Sequence, residues 1–170
     1  MTLDELDIEE KGLLKKVHEL NQKAFIADTK EEFEEIYSSY RKIHMQYAEL
    51  ASKDREALKR GLFLQWYAVT EAEHLSGISD LDEKAETLII EKLDESIERN
   101  NLDRELKWMF NHYSDWDYVF NRFKKYKSLN EAIKNRKEDE LPEIIDNELM
   151  ENRGQMGQYW ISFSKNNLST

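Results

Sequence analysis

Apolar positions in this chain recur at steps of three and four almost throughout, the spacing that places side chains on one face of a helix. Leu13, Val17, Leu20 and Ala24 make the first stripe, and Leu3 and Leu6 extend it upstream. Among them lie Asp4, Glu5, Asp7, Glu9 and Glu10, acids that favour a helix start through the macrodipole. Asp28 or Thr29 then caps a second helix, with Thr29 and Glu32 at capping-box spacing. That helix, over about 30–51, carries Phe33, Ile36, Tyr40, Ile43, Tyr47 and Leu50, widened by Tyr37, His44 and Ala51. Ser52 is the expected cap of a third helix reaching about residue 74.

The third helix is unusual. Residues 62–69 contain one polar side chain, Gln65, and a helix that is apolar nearly all round is a buried helix. Leu58, Leu62, Trp66, Val69 and Glu73 share one of its sides. After a turn at 76–79, Asp80 or Asp82 starts a fourth helix with the stripe Leu81, Ala85, Leu88, Ile89 and Leu93, flanked by Ile90 and Ile97, and Asn100–Asn101 ends it. Leu102, Leu106, Met109, Tyr113, Trp116, Phe120 and Phe123 then read either as one helix or as two broken at Ser114–Asp115. Ser128 and Glu131 begin a sixth helix, interrupted or restarted at Pro142, with Ile144, Ile145 and Leu149 on its later apolar face. Gly154 and Gly157 loosen the chain before a short final element bearing Tyr159, Trp160, Ile161 and Phe163. Alternating patterns with turn dipeptides are missing, so strands are not expected. The pattern predicts an all-α, single-domain bundle of about five to seven mainly antiparallel helices, spanning 1–163, with a frayed tail at 164–170.

Composition narrows the function more than the fold. With 25 Lys and Arg against 36 Asp and Glu, the net charge is -11, which opposes binding to phosphate backbones and anionic membranes. Neither nucleic acid nor membrane is therefore an expected partner. Cysteine is absent, which excludes disulfides and thiolate chemistry. The N-terminus has no basic and apolar signal regions, and no apolar run approaches the roughly 18 residues of a spanning helix. A soluble, cytoplasmic protein is the expectation.

Candidate chemistry is sparse. Glu71 and His74 form the only Glu-x-x-His spacing in the chain, and residues three apart share a helical face. Together with Glu73 they are the candidate ligand-binding set. No metal or cofactor is required by the sequence; the alternative is a divalent-metal site built from His44, Glu71, His74 and His112. Glu73 is a buried acid/base candidate if its helix continues regularly, and a solvated end residue if the helix stops before Gly77, which the glycine favours. Gly-rich phosphate loops, nucleophile elbows and zinc-type spacings are missing.

The stronger signal lies at 108–126, which holds eight of the 19 aromatics. Trp108, Trp116 and Tyr118 fall off the inward stripe or at its edge, which marks them as candidate interface residues. Arg122, Lys124, Lys125 and Lys127 follow, interleaved with aromatics; in so acidic a chain they point to acidic protein surfaces, including the chain's own helices. The leading expectation is a non-catalytic interaction protein that binds a protein partner or forms a homodimer through an aromatic-rich face. The competing one is an internal metal or small-ligand site near Glu71, Glu73 and His74, which would admit an enzyme. Trp66, on the apolar helix, is the expected core residue: Trp66→Ala should cost about 3–5 kcal/mol by cavity formation, measured by chemical denaturation.

Overall fold

The computed structural model describes residues 1–23, 28–136 and 141–167. Helix makes up 73% of it, about twice the roughly one-third typical of globular domains, and no strand occurs among the described residues. Nine helices are described: α1 (Leu3–Lys23), α2 (Lys30–Leu50), α3 (Arg55–Thr70), α4 (Glu73–Ser76), α5 (Glu83–Glu98), α6 (Arg104–Tyr113), α7 (Lys127–Lys134), α8 (Asn147–Met150) and α9 (Gly154–Asn167), with a 3-10 turn at Asn121–Phe123. The count exceeds the predicted five to seven because α4 and α8 have four residues each, too few to show a periodicity. No helix among the described residues is long and apolar enough to cross a membrane.

Most stripes sit where periodicity put them. Leu13, Val17 and Leu20 of α1 are buried, as are Phe33, Ile36, Tyr40, Ile43 and Tyr47 of α2; Ala24 lies outside the described residues. In α3 every residue from Ala57 to Trp66 is buried, as expected of a helix covered on all sides, but Val69 emerges into solvent. The caps differ more. Asp54, not Ser52, caps α3, its side chain accepting from the Glu56 N–H at 2.8 Å. Thr29 occupies the N-cap of α2 as expected but without a side-chain bond, while Asp28 accepts from the Lys30 N–H at 3.1 Å; α7 starts at Lys127 with Ser128 already inside it. Asp82 caps α5 as predicted, accepting from Lys84 and Ala85. Such substitutions follow from redundancy: several Ser, Thr and Asp stand near each boundary, and tertiary packing selects among them.

Pairing can be read from contacts. Glu10 meets Tyr47 and the groove between α1 and α2 is lined by Leu20 and Ile36, so these helices run antiparallel. A Cβ on Gly61 would meet both Tyr47 and Ile89, which places α3 between α2 and α5. The Asp94 carboxylate accepts from the Leu129 N–H at 2.7 Å and Tyr126 reaches Glu91. Sequence number therefore rises in the same direction along α5 and α7, a parallel pair permitted by the long excursion through α6.

The C-terminal region departs most from the periodicity. Ile144 and Leu149, predicted to be apolar-face residues, are exposed, and only Ile145 of the three is buried. Gly154 and Gly157 do not loosen the chain; they open α9, which continues to Asn167, with Ser164 buried against Asn147. Gly154 has a φ of +59° and its Cβ position is already occupied by the Glu10 carboxylate. Glycine is thus required twice over, by the left-handed backbone and by the close approach.

That approach anchors α9. The Gly154 N–H donates to Asp7 at 2.8 Å and the Gln155 N–H to Glu10 at 2.9 Å. Two carboxylates from α1 thereby occupy the positive end of the α9 dipole and satisfy its free donors. Glu10 also accepts from the Tyr47 hydroxyl at 2.5 Å. Its burial pushes the carboxyl up to about 7, against the pull of these hydrogen bonds and of Arg60. Beside it Arg153 binds both Glu56 and Glu105, while Arg60 binds Glu56 and the Leu3 and Asn152 carbonyls. Glu10→Ala should cost about 2–4 kcal/mol, because it strands the Tyr47 hydroxyl and the Gln155 N–H in the interior. Glu10→Gln, which can still pair with both, should stay within about 1 kcal/mol of the wild type; urea denaturation at neutral pH separates the two cases.

Candidate functional site

The eight aromatics of 108–126 do not lie on one helix. α6 ends at Tyr113, with Ser114 as its C-cap, and turns carry Trp116 to Phe120. This is the break at Ser114–Asp115 rather than the single long helix. Leu106, Met109, Phe110 and Tyr113 face the interior and are buried. Trp108 and His112, four apart on α6, meet α9 and α3, and Trp116 joins them from the turns that follow.

Their meeting point is an aromatic cluster. Trp66 stacks on Tyr113 with ring centres 4.7 Å apart, and Trp116 meets it edge-on at 5.2 Å. Trp108 meets Trp160 of α9 edge-on at 4.6 Å. Offset and edge-to-face arrangements of this kind are the favoured ones for aromatic quadrupoles. His112 sits within ring contact of Trp116, Trp160 and Phe163, and its Nε2 shares a 2.8 Å hydrogen bond with the Tyr159 hydroxyl. Burial holds its pKa down at about 4, despite the opposing charge of Asp115. The imidazole is therefore neutral at physiological pH.

The cluster reaches the surface. Tyr67, Trp116, Tyr159 and Phe163 are only partly buried while packing against its centre. Of the three interface candidates, Tyr118 is 54% exposed and Trp116 half-buried, but Trp108 is 7% exposed and buried against Trp160. Its position off the inward stripe of α6 had marked it for solvent; α9 covers it. Trp108 keeps one outward role, since its edge lines a groove of about 580 Å³.

The other candidate set does not assemble. α3 stops at Thr70, and Glu71 is its C-cap, accepting from the Ala72 N–H and bonded to the Tyr67 hydroxyl. Glu73 and His74 belong to the separate turn α4 and are exposed, with Glu73 accepting from the Ser79 hydroxyl at 2.7 Å. The break after Thr70 is what turns Glu73 away from Trp66. His44 lies in the core beside Gly61 and Gln65, and burial lowers its pKa to about 4. Among the described residues no three His, Asp or Glu side chains converge as metal ligands, and His44, Glu71, His74 and His112 are spread over core, cluster and surface. Arg122, from the basic stretch, forms an ion pair with Glu86 of α5, and Lys125 lies over the Tyr126 ring.

Sequence reasoning missed Tyr67, Tyr159 and Phe163. Tyr159 and Phe163 are four apart and would have signalled a helical aromatic edge had α9 been expected to start at Gly154. Comparison with protein-family models, curated proteins and solved structures finds no match, so the functional reading rests on this geometry.

One consequence is a pH dependence. A histidine kept neutral in the fold, at about 4 against 6.5 when free, binds its proton more readily in the unfolded chain. Its contribution to stability is complete above about pH 6.5 and is lost as pH falls towards 4. The shift corresponds to on the order of 3 kcal/mol. Urea titrations of the wild type and His112→Gln should therefore show a stability gap that is widest at pH 7 and narrows by about that amount at pH 4.

Proposed function

We propose that this is a non-catalytic interaction protein, which binds a protein partner or a second copy of itself through the aromatic surface at the end of α6. The observation that carries this is the partial exposure of Tyr67, Trp116, Tyr159 and Phe163 on one packed cluster, together with the exposed Tyr118 two residues after Trp116. Large aromatic side chains held in place by their neighbours lose little entropy on binding, which is why they act as interface anchors. Catalysis by contrast needs convergent acid, base or nucleophile groups. The perturbed carboxylate Glu10 and the perturbed histidines His44 and His112 are each enclosed by the chain's own side chains. The alternative site near Glu71, Glu73 and His74 has two of its three residues in solvent.

Self-association is the simplest form of the proposal, since symmetric dimers are the commonest soluble assembly. The wild type should sediment as a reversible dimer at micromolar concentration. The double variant Trp116→Ser/Tyr118→Ser should weaken that dimer at least tenfold, about 1.4 kcal/mol or more, with unchanged helical circular dichroism. A wild type that stays monomeric at high micromolar concentration removes the homodimer and leaves the heterologous partner.

A further inference from the structure

Charge is unevenly distributed along the chain. Residues 99–136 hold nine of the 25 Lys and Arg but only five of the 36 Asp and Glu. Three of those cations are used internally: Arg99 pairs with Glu95, Arg122 with Glu86 and Arg136 with Asp115. Arg104 and Lys107, three apart on α6, are exposed and enter no ion pair among the described residues. Both line the groove of about 580 Å³ whose other walls include Trp108, Leu141, Ile144 and one acid, Glu143. Ile144 is 74% exposed, the most of any large apolar side chain among the described residues. Lys107 also borders a second groove of about 340 Å³ on another flank of α6, floored by Phe110.

From this juxtaposition we propose that the groove along the start of α6 receives an acidic, apolar-anchored peptide segment of a protein partner. The proposal rests on the interaction-protein reading above and adds the partner's chemistry. Among the described residues Arg104 and Lys107 line the groove without an ion pair, beside exposed apolar side chains. A partner's carboxylates would serve as their counter-ions. Arg104 can hold a carboxylate through two parallel N–H donors, and Lys107 supplies a mobile point charge between the two grooves. Leu141, Ile144 and the Trp108 edge take the apolar side chains that lie between the carboxylates, as a groove does for an amphipathic segment. A nucleic acid fits less well. Its charge density is opposed by the net charge of -11, and its backbone offers nothing apolar to Ile144.

The test is selection of a displayed library of random peptides of about 15 residues, long enough for four helical turns, on the intact wild-type protein. Selected peptides are then measured by fluorescence anisotropy. The expected winners alternate Glu or Asp with Leu, Ile or Phe, weaken with added salt, and lose at least tenfold in affinity to Arg104→Glu/Lys107→Glu. Ile144→Ser should weaken them about threefold to tenfold, in the range of a lost apolar contact. Both variants lie on the surface, and helical circular dichroism verifies their folding. Enrichment of neutral or basic peptides, or acidic winners indifferent to both variants, overturns the proposal, as does failure to enrich any. So does a labelled single-stranded oligonucleotide that binds more tightly than the winners and is released by Arg104→Glu/Lys107→Glu. Winners that respond to Trp116→Ser/Tyr118→Ser alone would overturn the acidic-partner proposal while leaving the aromatic-surface reading in place.

Discussion

The contact between the first and last helices sets the rest of the structure. Asp7 and Glu10 meet the backbone N–H groups of Gly154 and Gln155, so α9 starts on two carboxylates supplied from the other end of the chain. A helix start buried without acceptors would strand its donors; here α1 provides them, and the α9 dipole in turn favours negative charge at that point. Everything α9 contributes follows from this placement. Trp160, with no exposed surface, fills the space against Trp108 and Tyr113. Tyr159 reaches His112, and Phe163 extends the cluster to the surface.

The surroundings of that contact are ionic rather than apolar. Arg153 spans Glu56 of α3 and Glu105 of α6, and Lys59 reaches Glu105 and Asp103 at 2.8 and 2.9 Å. The paired carboxylate Glu105 is held below its ordinary range by Arg153 and Lys59 in spite of burial. Half-buried networks of this sort contribute little net stability over an apolar replacement, because desolvation offsets the attraction. What they do contribute here is register. Each partner is directional, and a one-turn slide of α9 along α3 would leave Arg153 without its carboxylates.

Rigid positioning connects this scaffold to the surface it presents. The aromatic rings that reach solvent are outer members of a cluster whose inner members, Trp66, Phe63 and Tyr113, are wholly enclosed. His112 stays uncharged within it, so the cluster keeps an apolar character. The proposed groove sets the Trp108 edge beside Arg104 and Lys107, a combination that would discriminate among partners by charge as well as by shape.

Periodicity alone determined the helical class, the stripes of α1, α2 and α5, and the enclosure of α3 as far as Trp66, because burial of an apolar face is a local, repeating demand. It also held an unread sign: Glu10 falls between Leu6, Leu13 and Val17 on the buried side of α1, so its carboxylate had to find partners inside the fold. Which partners it found was a tertiary matter, since Tyr47 and Gln155 lie 37 and 145 residues away. The same holds for the site. An aromatic surplus near α6 was legible, but only the packing of α9 decided that Trp108 is covered while Trp116 and Tyr118 reach solvent. The Glu-x-x-His spacing presumed a continuous helix. Termination of α3 at Thr70 separates its members, because one broken turn rotates every later side chain away from the face that spacing had assigned.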